Sequence, residues 1–103
     1  DKAKLDGETP LHVAASAGHI DVVKYLCEAG VDKEKAKLDG HAPLHHAAHK
    51  GHVDVVKYLC ETGMDKDKAT LDGFGFTPLH IAALTGHIDV VKCLCEAGVD
   101  KDK

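Results

Sequence analysis

Thr9-Pro10-Leu11-His12-Val13-Ala14-Ala15-Ser16-Ala17-Gly18-His19, entered through Leu5-Asp6-Gly7-Glu8, decides the fold because the chain writes it three times. It returns as Leu38-Asp39-Gly40-His41-Ala42-Pro43-Leu44-His45, and again from Leu71 to His80 with two residues added ahead of Thr77. Leu5, Leu38 and Leu71 set a period of 33 residues. Self-similarity at that period marks a stacked array whose units bury their apolar faces against one another, and about three units are the minimum for a stable stack.

Each unit reads as a turn and two helices. Asp-Gly supplies a tight turn, where glycine accepts a positive φ. Thr9 and Thr77 suit the N-cap, and Pro10, Pro43 and Pro78 suit the first helical position, where a missing N–H costs nothing. Gly18, Gly51 and Gly86 end the first helix. A second helix is predicted from about Ile20 to Glu28 and at the equivalent positions. Val22, Val23, Leu26 and Cys27 carry its apolar stripe, and Gly30, Gly63 and Gly98 follow its C-terminus. The pairs Ala14-Ala15, Ala47-Ala48 and Ala82-Ala83 let the two helices approach closely. Polar stretches such as Asp32-Lys33-Glu34-Lys35 carry the chain to the next turn as protruding loops.

Thr-Pro-Leu-His-x-Ala-Ala-x-x-Gly-His followed by Val-Val-Lys-x-Leu resembles the ankyrin repeat, in three copies covering essentially the whole chain. The resemblance implies one all-α solenoid domain over residues 1–103, built of stacked helix-turn-helix units at about 5–37, 38–70 and 71–103 with protruding turn or hairpin loops. It also implies a protein-binding module without catalytic activity or cofactor. By position in such proteins, the turn tips and the exposed side of the first helix line a concave groove. That groove comprises Leu5, Asp6, Glu8, Ser16 and Ala17, then Leu38, Asp39, His41, His49 and Lys50, then Leu71, Asp72, Leu84 and Thr85. The copies differ at such places: Glu8 becomes His41, Val13 becomes His46, Ser16 becomes His49 and Ala17 becomes Lys50, while Val22 to Glu28 recurs unchanged as Val55 to Glu61. Drift at exposed positions is the alternative account.

The third turn departs from the pattern, with Phe74-Gly75-Phe76 in place of a single residue. Both phenylalanines of the chain stand there. Aromatic rings on a turn tip make natural interface anchors, so Phe74 and Phe76 join the partner-binding set. The competing reading folds one ring back over the stack. The added residues also put the usual turn geometry of this finger in question.

Nine histidines invite a metal reading. The resemblance gives His12, His45 and His80 the role of tying turns to their neighbours, and His19, His52 and His87 a structural place at the start of the second helix. His41, His46 and His49 remain as candidate metal ligands, with no cysteine or carboxylate placed to complete a tetrahedral set. The same histidines offer a pH-responsive groove, since imidazoles titrate near neutrality. Ala42 forgoes the cap that Thr9 and Thr77 supply, which makes the middle first helix the least well anchored.

Cys27, Cys60 and Cys95 share one phase of the second helix and read as small hydrophobes, whereas Cys93 replaces Tyr25 and Tyr58 and reads as more exposed. Equivalent positions on stacked helices lie about 8–10 Å apart, too far for an unstrained disulfide. Four unpaired thiols place the chain in a reducing compartment, the cytoplasm. A net charge of −4 gives no support for nucleic acid or an anionic membrane, and no apolar run approaches a span. No nucleophile motif or phosphate loop is present, since Ser16 is the sole serine and no glycine-rich run precedes a lysine. Asp21, Asp54 and Asp89 suit helix N-termini, and Lys24 and Glu28 are spaced for an i,i+4 pair.

Neither end unit carries a polar cap: Ile20, Val22 and Leu26 stand at one end, Ile88, Val90 and Leu94 at the other. The chain is therefore expected to be a piece of a longer array, or to associate end to end. The likeness of its units also suits a designed or recently duplicated sequence. Binding of another protein through the groove is the leading reading. A structural spacer within a longer array and a metal- or pH-responsive module are the alternatives.

Overall fold

Proline and glycine punctuate the chain so firmly that the helix limits follow them. The computed structural model describes residues 7–71 and 73–102 and contains α1 (Pro10–Ala17), α2 (Ile20–Glu28), α3 (Pro43–Lys50), α4 (Val53–Glu61), α5 (Pro78–Thr85) and α6 (Ile88–Glu96). Each of α1, α3 and α5 opens on proline and closes at a left-handed glycine, with φ of +78°, +79° and +77° at Gly18, Gly51 and Gly86. At the N-termini, Thr9 Oγ1 accepts the His12 backbone N–H at 3.4 Å and Thr77 Oγ1 accepts that of His80 at 3.2 Å. The imidazole completes the exchange, its Nδ1 accepting the Thr9 N–H at 3.0 Å and the Thr77 N–H at 2.9 Å. Ala42 keeps half of this arrangement: its N–H reaches His45 Nδ1 at 3.0 Å, but the His45 N–H turns to the Ala42 carbonyl at 3.0 Å.

First helices stack on first helices (α1, α3, α5) and second on second (α2, α4, α6), giving two layers within 36 × 29 × 21 Å. The core lies between the layers and between units. Leu11, Leu44, Leu59 and Leu94 fill it with Val23, Val55, Val56 and Val90, while Ala15, Ala47, Ala48 and Ala82 keep the helices close. Burial follows the neighbour as well as the stripe. Val55 and Val90 are 0% exposed, each covered by the unit before it, yet Val22, at the same place in the first unit, is 47% exposed, with no further unit packed on it among the described residues. Leu79, Val91 and Cys95 are likewise less covered than Leu44, Val56 and Cys60 at the opposite end. Both end faces thus present apolar side chains.

Histidines tie unit to unit at both ends of each junction. His12 Nε2 meets the His41 carbonyl of the next hairpin at 3.0 Å, and His45 Nε2 meets the Lys68 carbonyl at 2.7 Å, on the segment that leads into the next hairpin. At the far end His52 Nε2 meets the Ser16 carbonyl at 3.0 Å and His87 Nε2 that of His49 at 3.1 Å, each reaching back to the previous unit. Those rings lie against glycine: a Cβ on Gly18 would stand 2.6 Å from His52 Nδ1, and one on Gly51 2.6 Å from His87 Nδ1. His80, in the last unit, is exposed.

The polar loops form a ladder of their own. Asp32, Asp65 and Asp100 each accept a backbone N–H two residues on, Glu34 accepts the Asp65 N–H at 3.1 Å, and Asp67 accepts the Asp100 N–H at 2.9 Å. The expected Lys24–Glu28 pair does not form. Lys24 Nζ lies 5.8 Å over the Tyr58 ring of the next unit, where a cation gains from the aromatic face.

Candidate functional site

The second and third fingers project from one edge of the stack. The second is closed by the Lys37 N–H on the His41 carbonyl at 2.9 Å, and the third by the Thr70 N–H on the Phe76 carbonyl at 2.9 Å. The two added residues therefore leave the base of the third finger unchanged and are absorbed at its tip, where Gly73 and Gly75 have φ of +94° and +66°. The Leu71 N–H bonds the Asp39 carbonyl at 2.7 Å and joins the two fingers. Gly40 permits that approach, since a Cβ there would strike the Leu71 backbone.

Between these fingers and α3 and α5 lies a hollow of about 510 Å³. Asp39, His41, Phe74 and Phe76 form its finger side; Ser16, His46, His49, Lys50, Ile81 and Leu84 come from the first helices. Eight of the residues assigned to the groove on sequence meet there: Ser16, Asp39, His41, His49, Lys50, Phe74, Phe76 and Leu84. Glu8, Ala17, Leu38, Leu71 and Thr85 do not line it. Leu71 and Leu38 are exposed on the fingers, and Thr85 Oγ1 is bonded to the Ile81 carbonyl at 2.8 Å. Leu5, Asp6 and Asp72 lie outside the described residues. His46 and Ile81 were not assigned to the groove; they share the helix position of Val13, and its change from Val to His to Ile was the available signal.

The two phenylalanines differ. Phe74 is 70% exposed, whereas Phe76 is half-buried, packed against the core and 5.8 Å from the His80 ring. The rings stack on each other at 5.4 Å, so Phe76 supports Phe74 at the rim. Leu84, 73% exposed, also lines the hollow.

Behind this surface the imidazoles form a continuous set. The His12 and His46 centroids are 5.5 Å apart, those of His41 and His45 5.6 Å, and those of His41 and His46 5.8 Å. Burial pushes His45 and His46 each down to about 4, and lowers His12 against the opposing pull of the His41 carbonyl. For His12 and His45 the bonding gives the same answer, since Nδ1 accepts a backbone N–H while Nε2 donates to a carbonyl, leaving no place for a second ring proton. His46 Nε2 is buried without a hydrogen-bond partner. Burial works to raise Asp39, but the His41 backbone N–H and ring, each at 3.0 Å, outweigh it and hold the carboxyl below its ordinary value.

Among the described residues no three His, Cys, Asp or Glu side chains are grouped to hold a metal ion, so His41, His46 and His49 do not form a donor set. Cys27 and Cys60 are buried; Cys93 and Cys95 are both partly exposed. Burial raises Cys27 and Cys93 and takes Cys60 up to about 11. No helix among the described residues is long and apolar enough to cross a membrane.

Two family models match the chain: ankyrin repeats (3 copies) over residues 29–103 and the ankyrin repeat over residues 6–36. The chain belongs to the ankyrin repeat family, and its fold is the all-α ankyrin solenoid. Such repeats are in general protein-interaction modules. A comparison with curated proteins finds none that matches.

Proposed function

We propose that the chain is a non-catalytic binding module that holds a protein partner in the hollow between its second and third fingers. One observation carries the reading: the hollow has two large apolar side chains, Phe74 and Leu84, exposed on a face that also carries charge. Exposed aromatic anchors of this kind dominate binding energy at interfaces. Four free thiols support a reducing, cytoplasmic setting. The test is recovery of a partner from cell lysate by the parent chain and by a Phe74→Ser, Leu84→Ser variant. Phe76 is left alone because it packs against the core. A partner held by the parent and lost by a variant with unchanged circular dichroism supports the reading; equal recovery removes the hollow from the interface.

The apolar end faces favour a second reading, in which stacking is the role of the chain and another repeat covers each end. Val13, Val22 and Tyr25 are exposed at one end and Ile88 at the other. Sedimentation velocity of the parent and of a Val22→Lys variant tests it: association lost on substitution supports stacking, and a monomer at every concentration opposes end-to-end pairing.

A further inference from the structure

The chain as a whole is acidic, with 17 Asp and Glu against 13 Lys and Arg. Its hollow is not. Lys50 and the imidazoles of His41, His46 and His49 line it, against a single acid, Asp39. That acid is already engaged, accepting the His41 backbone N–H and facing the His41 ring, each at 3.0 Å. The charges acting on His46 from behind, Lys37 and Glu8, are of opposite sign. By contrast, the hollow on the opposite face, between α4 and α6, sets Lys57 and Lys92 against Glu61, Asp89 and Glu96. Lys50 and Asp39 balance in formal charge, but Lys50 and the exposed His49 ring stand together in the last turn of α3, so an anionic ligand meets a cation and an imidazole there and a net acidic wall behind.

The shape adds a second requirement. Phe74 and Leu84 expose apolar surface beside Lys50, with Ile81 and Phe76 alongside. A volume of about 510 Å³ suits a short segment with one large side chain and is far too small for a folded domain. We propose that the hollow takes an acidic peptide segment carrying one aromatic or large aliphatic residue, which sits against Phe74 and Leu84 while its carboxylates face Lys50 and His49. This deepens the binding-module reading above and rests on it.

The test selects binders from a phage-displayed library of random peptides, each about 12 residues long, on the immobilised chain. Fluorescence anisotropy of a labelled winner is then measured against the parent and the Lys50→Glu, Phe74→Ser and Lys92→Glu variants. Winners are expected to combine at least two acids with an aromatic or large aliphatic residue. Lys50→Glu is expected to weaken binding about tenfold or more, added salt to weaken it further, and Lys92→Glu on the back face to leave it within about twofold. Winners without acidic residues that still depend on Phe74 overturn the acidic-peptide proposal and leave the binding-module reading standing. Winners indifferent to both Lys50 and Phe74 overturn both. No enrichment over bare resin also counts against the proposal, because a preformed site of this size binds short segments detectably.

Discussion

Gly18, Gly51 and Gly86 share a backbone conformation but not a neighbourhood, which allows the two costs of replacing a glycine to be separated. At Gly86, with φ of +77° and nothing within 4 Å of where a Cβ would stand, alanine meets backbone strain alone, about 1–2 kcal/mol for a left-handed residue. At Gly51, with φ of +79°, the same methyl would stand 2.6 Å from His87 Nδ1 and 2.7 Å from Cε1. The ring must move, and its bond to the His49 carbonyl at 3.1 Å is lost, at a further cost of about 0.5–1.5 kcal/mol plus the lost packing. The gain from stiffening the unfolded chain is common to both sites and cancels. Gly51→Ala should therefore destabilise by about 1–2 kcal/mol more than Gly86→Ala, and Gly18→Ala should match Gly51→Ala through His52. Urea unfolding followed by circular dichroism should show midpoints about 1 M apart at an m-value of about 1.5 kcal/mol/M. In a His87→Ala background the excess cost of Gly51→Ala should vanish. Equal midpoints for Gly51→Ala and Gly86→Ala, or an excess that survives removal of the ring, would refute the interlock.

Three further outcomes are expected. Ala42→Thr should stabilise by about 0.5–1 kcal/mol, the low half of the usual cap value because the His45 N–H already has the Ala42 carbonyl, and no rise in melting temperature would contradict it. Stability should fall in mild acid: His45 is held near 4 in the folded state, below its ordinary 6.5, so its contribution is complete above pH 6.5 and is lost as pH falls through 6.5 toward 4. That amounts to about 2 kcal/mol between about pH 7.5 and pH 5, and a urea midpoint unchanged over this range would be inconsistent with it. Under native conditions at about pH 8, Cys60 should be the slowest thiol alkylated by iodoacetamide, read by peptide mass spectrometry, because it is buried and its thiolate is disfavoured; modification of Cys60 ahead of Cys93 would oppose this.

Helix limits were legible because local chemistry sets them: proline at the first position and glycine after the last act within a single turn. Relations between units were not. Val22 and Val55 are the same letter on the same stripe, and their different burial depends on whether a unit lies beyond. Lys24 has Glu28 at helical spacing, yet Tyr58 of the next unit is what its ammonium covers, a contact without a signature inside one helix. For the site, position within the unit found six of its lining residues and the insertion two more, Phe74 and Phe76, around a hollow between the second and third fingers. Phe76 shows the same limit, since the insertion announced two aromatic rings and only the retained closing bond decided which one turned inward.

The paired histidine bonds at each junction have a mechanical consequence. One fastens the hairpin end of a unit to its successor, the other fastens the helix-turn end to its predecessor, and the two are separated by the whole width of the unit. Twisting one unit on the next must stretch one or the other, so neighbouring units resist rotation as a plank nailed at both ends does, where apolar contact alone would let them slide. The spacing between fingers is thereby held before any ligand arrives, and a flexible segment entering the hollow bears the ordering cost itself.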